Sequence, residues 1–157
     1  MEFEQRLQRA IERGQRKGDA RADASAQRAL NEEELRRLHS QYRLQLSEHI
    51  ESCIRRLPDH FPGFRYETVV GDRGWGAAVS RDDVGGGRRS FFSRLEMTVR
   101  PFSQYHVLEL SAKGTIRNKE VYNRTHYQRL DEADPKTFID MIDLWILEYA
   151  ELYAAKG

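Results

Sequence analysis

The sequence predicts a two-layer α+β domain, in which an antiparallel sheet of four to five strands is covered on one face by helices. Two observations support this fold class. Apolar residues recur every three to four positions near both ends of the domain and alternate with polar residues in its middle. The first spacing is typical of helices and the second of strands. Glycine, proline and asparagine separate the alternating segments, as they do in turns between strands.

The chain of 157 residues is predicted to form one domain preceded by a charged segment. From the Val, Ile, Leu and Phe set, residues 1–29 contain only Phe3, Leu7 and Ile11. A segment with so little to bury is expected to be flexible or a frayed helix. Residues 30–157 hold all the other Val, Ile, Leu and Phe residues and form the predicted α+β domain.

The first helix of this domain is predicted to begin at Asn31, because an N-cap residue type there precedes three glutamates. Pro58 is expected to end it, since proline disfavours the helical conformation of the preceding residue. The apolar positions of the helix are Leu35, Leu38, Tyr42, Leu46, Ile50, Cys53, Ile54 and Leu57.

Five strands are predicted at residues 64–72, 75–84, 91–102, 105–117 and 121–130, with a turn at Asn118-Lys119 before the fifth. In the third strand, Leu95, Met97 and Val99 are expected to face the helices. The polar face would then carry Phe92, Arg94, Glu96, Arg100 and Phe102, joined, depending on the register, by Arg117, Tyr122, Arg124 and His126.

The last helix is predicted to begin after Asp134, an N-cap acid followed by a proline at the first helical position. Its apolar arc is wider than one sheet face requires. Trp145, Tyr149 and Tyr153 lie four residues apart, which indicates either core packing or a subunit contact, where tryptophan and tyrosine are common. We therefore take these three residues as a candidate interface.

Charge is unevenly distributed along a chain whose net charge is only +1. Residues 63–130 carry 12 Lys and Arg against 7 Asp and Glu, whereas residues 131–157 carry 2 against 7. The two segments either neutralise each other or leave a basic face for an anionic partner. The candidate nucleic-acid contacts are Arg88, Arg89, Arg94, Arg100, Arg117 and Arg124.

No pattern in the sequence indicates a cofactor, a metal or a catalytic nucleophile. His49 and Cys53 share a helix face and have the spacing of half a zinc site, but the other histidines offer no second pair. No Gly-x-Ser-x-Gly motif is present. The loop Gly85-Gly86-Gly87 lacks a following helix, so we interpret it as a hairpin loop and not as a phosphate site.

These observations favour a non-catalytic binding or adaptor domain that acts through protein–protein contacts and self-associates as a homodimer. Nucleic-acid binding by the arginine and aromatic face of the sheet is the alternative. A third hypothesis is a small-molecule binder or enzyme with a site between sheet and helix, which a pocket containing His106 or His126 would support. The absence of an apolar membrane-length run and of a secretory signal, together with the single cysteine, predicts a cytoplasmic protein.

Overall fold

The computed structural model describes residues 2–84 and 90–156, without the side chains of residues 28–30. The chain divides into two compact units, Met1–Arg37 and Leu38–Gly157. The predicted α+β fold class is confirmed, because a long N-terminal helix, a five-stranded antiparallel sheet and a C-terminal helix follow one another. The predicted domain limits at residues 29 and 30 stay a prediction.

The first helix, α1, spans Phe3–Ile54, so the predicted helix start at Asn31 is wrong. In the first unit, the side chains of residues 2–27 are exposed. The segment that we expected to fray is rich in alanine, arginine and glutamine, which are good helix formers and offset the cost of Gly14 and Gly18. Further along this unit, Glu33 and Arg37 form an ion pair of 3.3 Å one turn apart.

In the second unit, the part of α1 from residue 38 onward has the predicted apolar face, with Leu46, Ile50 and Ile54 fully buried. The helix ends at Ile54, three residues before the predicted end. A one-turn helix, α2, follows at Leu57–His60. Pro58 lies in the first turn of α2. Backbone N–H groups there have no intrahelical acceptor, so proline, which lacks an N–H, is tolerated.

The sheet is an antiparallel meander in which every strand pairs with its neighbours in sequence. Its strands are β1 (Arg65–Gly71), β2 (Gly74–Val84), β3 (Ser90–Val99), β4 (Val107–Ile116) and β5 (Lys119–Arg129). β3 ends before Pro101, which cannot donate a ladder hydrogen bond. Arg117 and Asn118 have φ values of 49° and 71° and form a two-residue hairpin, so the predicted turn at Asn118-Lys119 is one residue too late.

The C-terminal helix, α3, spans Pro135–Lys156 and begins where the sequence predicts. One carboxylate oxygen of Asp134 accepts a hydrogen bond of 3.1 Å from the Lys136 N–H, and the other accepts one of 3.3 Å from the Thr137 hydroxyl. Asp134 therefore caps the helix, with Pro135 at its first position.

Helices cover one face of the sheet, and that face forms the core. As predicted, Leu95, Met97 and Val99 are fully buried. Other buried residues of the core belong to β4 and the two helices, including Leu108, Leu110, Leu46, Ile50, Phe138 and Ile142. The opposite face of the sheet, called the open face here, carries mainly polar side chains of β1, β3, β4 and β5. Among the described residues, no helix combines the length and the apolar character that crossing a membrane requires.

Candidate functional site

A pocket of ≈ 520 Å³ lies between the end of α1, α2 and α3. Its volume falls within the range of roughly 300–1,000 Å³ that is usual for ligand sites. The wall is mostly apolar, with the guanidinium of Arg56 from the turn before α2 and the imidazole of His60 from α2. The lining residues are Cys53, Arg56, Leu57, His60, Phe61, Asp143, Ile146, Leu147 and Ala150.

Aromatic packing fixes the walls of this pocket. The ring of Tyr153, near the end of α3, lies edge-to-face against Phe61 at 5.0 Å and against Phe64 at 4.8 Å. Such aromatic pairs stabilise by about 0.5–1.5 kcal/mol beyond their buried area. Tyr153 therefore ties α3 to the chain that leaves α2, and the pocket has a preformed shape.

Three polar side chains meet at the edge of the pocket. His49 and Cys53 project from the last turns of α1, and Asp143 projects from α3. The Nε2 atom of His49 lies 2.7 Å from Oδ1 of Asp143, and the Sγ atom of Cys53 lies 3.6 Å from each of these atoms. Burial, and then the neighbouring Asp143 carboxylate, raise the pKa of the Cys53 thiol.

This cluster is poorly arranged for nucleophilic catalysis. In a relay, the base accepts a proton at one ring nitrogen while an acid orients it through the other. Here Cys53 and Asp143 both contact Nε2 of His49. A thiol with a raised pKa is also a weak source of thiolate. The arrangement suits ligation better than proton transfer.

The outward side of α3 carries a second feature next to the pocket. Four exposed residues at spacings of four, three and four form one stripe, which we call the α3 outer stripe: Asp140, Leu144, Leu147 and Glu151. Leu144 is 53% exposed and Leu147 is 67% exposed. The stripe thus presents two leucines between two acids, and Leu147 also lines the pocket.

The candidate interface predicted on α3 lies in the core instead. Trp145, Tyr149 and Tyr153 are all buried. The hydroxyl groups of Tyr149 and Tyr122 donate to the carbonyl oxygens of Thr115 and Trp145, at 2.8 Å and 3.0 Å. The aromatic residues thus pack α3 onto the sheet, and the leucines on its other side are the accessible ones.

Of the predicted nucleic-acid contacts, Arg94 and Arg100 lie at the open face, and each pairs with acids. Arg94 is 2.7 Å from Glu67 and 3.0 Å from Glu96, and Nε of Arg100 is 3.4 Å from Glu109. At Arg94 and Arg100 the open face therefore presents ion pairs rather than unmatched cations.

The other predicted contacts do not join these two. Arg117 lies in the hairpin turn with its guanidinium 4.3 Å from the Phe91 ring centroid. Arg124 is on the helix-covered face and pairs with Glu148 of α3. The same register places Tyr122 and His126 on that face, so these two residues do not join Arg94. Arg88 and Arg89, with the loop Gly85-Gly86-Gly87, lie outside the described residues.

The histidines proposed for a sheet–helix site take other positions. The His126 ring packs edge-to-face on Phe138 at 5.0 Å and the His106 ring lies 5.6 Å from Phe102. Phe102 also packs against His39 of α1. Phe102 was predicted to lie on the open face, and this contact places it elsewhere. The pocket between α1, α2 and α3 contains neither His106 nor His126.

Sequence reasoning recognised the His49–Cys53 spacing but missed Asp143. The signal lay in the helical register: Asp143 follows the buried Ile142 and precedes the buried Trp145 and Ile146, so it borders the inward face of α3. Nothing in the sequence states that this border meets α1.

Comparison of the chain with protein-family models, with curated proteins and with solved structures finds no match.

Proposed function

We propose that this protein is a non-catalytic binding domain that pairs with a second copy of itself through the pocket and the α3 outer stripe. A single observation carries the proposal: one surface holds both an apolar cavity and two protruding leucines. A two-fold symmetric contact requires such self-complementarity, because each copy uses the same patch.

The apolar part of the contact would come from Leu144 and Leu147. These side chains are 53% and 67% exposed, and they adjoin a pocket whose wall includes Leu57, Phe61 and Ile146. Inserting a leucine into such a cavity removes apolar surface from water at about 25 cal/mol per Å². The leucines of one copy would occupy the pocket of the other.

Charge adds complementarity to this contact. Arg56 and His60 line the pocket, while Asp140 and Glu151 flank the two leucines of the stripe. Two copies related by a two-fold axis would therefore set the acids of one stripe against Arg56 of the other pocket. Such pairing fixes orientation and partner choice more than it adds affinity.

Light scattering on a size-exclusion column tests the proposal at physiological salt. We expect the full chain to elute at twice its 18.4 kDa mass. The variant Leu144→Ser/Leu147→Ser should elute as a monomer, since it removes the apolar part of the contact. Leu44→Ser is the matched control, because Leu44 of α1 is exposed to the same 53% as Leu144 but lies outside the patch.

A charge exchange tests the orientation. Glu151→Arg should weaken the dimer by placing a cation against Arg56 of the other copy, and adding Arg56→Glu to the same chain should restore it. A wild-type monomer at every protein concentration, or a dimer that survives the double serine substitution, would contradict the proposal.

A further inference from the structure

We propose that His49, Cys53 and Asp143 form a binding site for a zinc-class divalent ion, with a fourth coordination position open to the pocket. Three donor atoms of different chemistry converge there from two helices. Nε2 of His49, Sγ of Cys53 and a carboxylate oxygen of Asp143 all lie within 4.8 Å of one another.

The sulfur-to-ligand distances match those of a tetrahedral zinc site. Zinc binds sulfur at about 2.3 Å and nitrogen or oxygen at about 2.0–2.1 Å, which places neighbouring ligand atoms of a tetrahedron about 3.5 Å apart when one is sulfur. Cys53 Sγ lies 3.6 Å from the His49 nitrogen and 3.6 Å from the Asp143 oxygen. The 2.7 Å between His49 and Asp143 is a hydrogen-bond distance, and ion binding would exchange that bond for coordination.

The chemistry of the donors selects the class of ion. A thiolate with an imidazole and one carboxylate suits zinc and related transition ions, whereas calcium and magnesium require oxygen ligands. His49 and Cys53 are one helical turn apart, and Asp143 is held by a helix whose neighbouring residues Ile142 and Ile146 are buried. Coordination displaces the Cys53 thiol proton to solvent.

Three protein ligands leave one position of a tetrahedron unfilled, as in zinc sites that bind water or a small ligand. Cys53 and Asp143 line the pocket between α1, α2 and α3, so that position faces it. The ligand set is only partly buried: the side chain of His49 is 30% exposed and that of Asp143 is 47% exposed. An ion can therefore enter without local unfolding.

Titration of the tag-free full chain with Co²⁺, a coloured substitute for Zn²⁺, tests the site. Because Cys53 is the one cysteine in the sequence, a sulfur-to-cobalt charge-transfer band identifies it as a ligand without ambiguity. We expect this band to saturate at one Co²⁺ per chain and to disappear when Zn²⁺ is added. Isothermal titration with Zn²⁺ should give the same stoichiometry.

Substitutions separate coordination from nonspecific binding. Cys53→Ser should abolish the band, and His49→Gln and Asp143→Asn should each weaken Zn²⁺ binding at least about tenfold, since even residues outside the coordination shell contribute that much. His60→Gln is the control, because His60 lines the same pocket but lies outside the ligand cluster. Leu144→Ser/Leu147→Ser should bind Zn²⁺ normally, so loss of self-association and loss of metal binding remain distinguishable.

Absence of the charge-transfer band in the folded wild-type chain would overturn the proposal. So would Zn²⁺ binding that is unchanged in all three ligand variants. In either case the cluster serves only as a polar link between α1 and α3.

Discussion

The hydroxyl group of Tyr149 donates a hydrogen bond of 2.8 Å to the carbonyl oxygen of Thr115. Thr115 lies at the irregularity in the β4–β5 pairing, where the register shifts between Gly114 and Thr115. A register shift interrupts the ladder and leaves backbone groups without strand partners. Tyr149 supplies a donor from α3 at this irregularity, and burial raises the pKa of Tyr149, so the hydroxyl keeps its proton at physiological pH.

Removing this hydroxyl should destabilise the domain. We expect Tyr149→Phe to lower the free energy of unfolding by about 1–2 kcal/mol, because the Thr115 carbonyl would lose its donor in a half-buried place. Urea denaturation measures the change. Tyr127→Phe is the control, since Tyr127 is 64% exposed and should change stability by less than about 0.5 kcal/mol. Equal effects of the two substitutions would show that the bond contributes nothing.

The close approach of β2 to β3 should make Gly76 more sensitive to substitution than Gly114. A Cβ atom at Gly76 would lie 1.9 Å from the Met97 carbonyl oxygen, which belongs to rigid strand backbone. A Cβ atom at Gly114 would meet ring atoms of Tyr149 and Tyr122 at 3.1 Å and 3.2 Å, and side chains can shift by such amounts.

We therefore expect Gly76→Ala to cost more than about 2 kcal/mol and Gly114→Ala clearly less, on the scale of typical substitutions. Thermal unfolding of both variants tests the order. The reverse order would mean that the tyrosine rings are held more firmly than the strand backbone.

The sequence predicted the sheet and its helices well because their signals are local. Alternation in β3 and the Asp134-Pro135 cap each follow from a few adjacent residues, and both match the structure. The buried helix face from Leu46 to Ile54 is likewise predicted by the spacing of nearby apolar residues. The predicted helix start at Asn31 was wrong because this residue, although of an N-cap type, lies inside a helix that begins at Phe3. Most of the residues before Asn31 are strong helix formers.

The candidate site could not be predicted in this way, because its parts meet only in the folded chain. The face on which Arg124 lies depends on the hairpin at Arg117 and Asn118, and a turn displaced by one residue moves every following side chain to the other face. Likewise His49 and Asp143 are 94 positions apart, and their contact depends on how α1 and α3 pack.

Buried His39 should make stability depend on pH. Its ring Nε2–H donates a hydrogen bond of 3.1 Å to the Arg100 carbonyl oxygen, and the side chain is 3% exposed. Burial lowers the pKa of His39 below its ordinary value of 6.5; the Arg100 carbonyl opposes this shift and the charge of Arg43 reinforces it. Below pH 6.5 the unfolded chain therefore binds more protons than the folded one, and acidification favours unfolding.

We expect the stability of the wild type to fall as the pH drops from about 6.5 towards the lowered pKa of His39, by at most about 1.4 kcal/mol per pH unit from this group. His39→Gln cannot take up that proton, so its stability should be lower at pH 8 but should change less with acid. His60→Gln, the same substitution at an exposed position, is the control. Urea unfolding midpoints measured between pH 5 and 8 give the dependence of stability on pH. If His39→Gln has the same dependence as the wild type, His39 is not its source.

Nucleic-acid binding by the open face remains the alternative function, and it makes a separable prediction. Arg94 and Arg100 would have to exchange their bonds with Glu67, Glu96 and Glu109 for phosphate contacts. Such contacts release counterions, so affinity would fall steeply as salt is raised. Fluorescence anisotropy with a labelled single-stranded oligonucleotide, repeated at several salt concentrations, measures this dependence.

The double variant Arg94→Glu/Arg100→Glu should abolish any such binding. Arg36→Glu/Arg37→Glu is the charge-matched control, because it changes the net charge equally at exposed positions of α1 and leaves the sheet intact. Loss in the sheet variant alone would establish the open face as the contact surface. Equal loss in both variants would indicate a nonspecific effect of net charge. If the wild type does not bind the oligonucleotide even at low salt, where electrostatic attraction is strongest, the alternative is rejected.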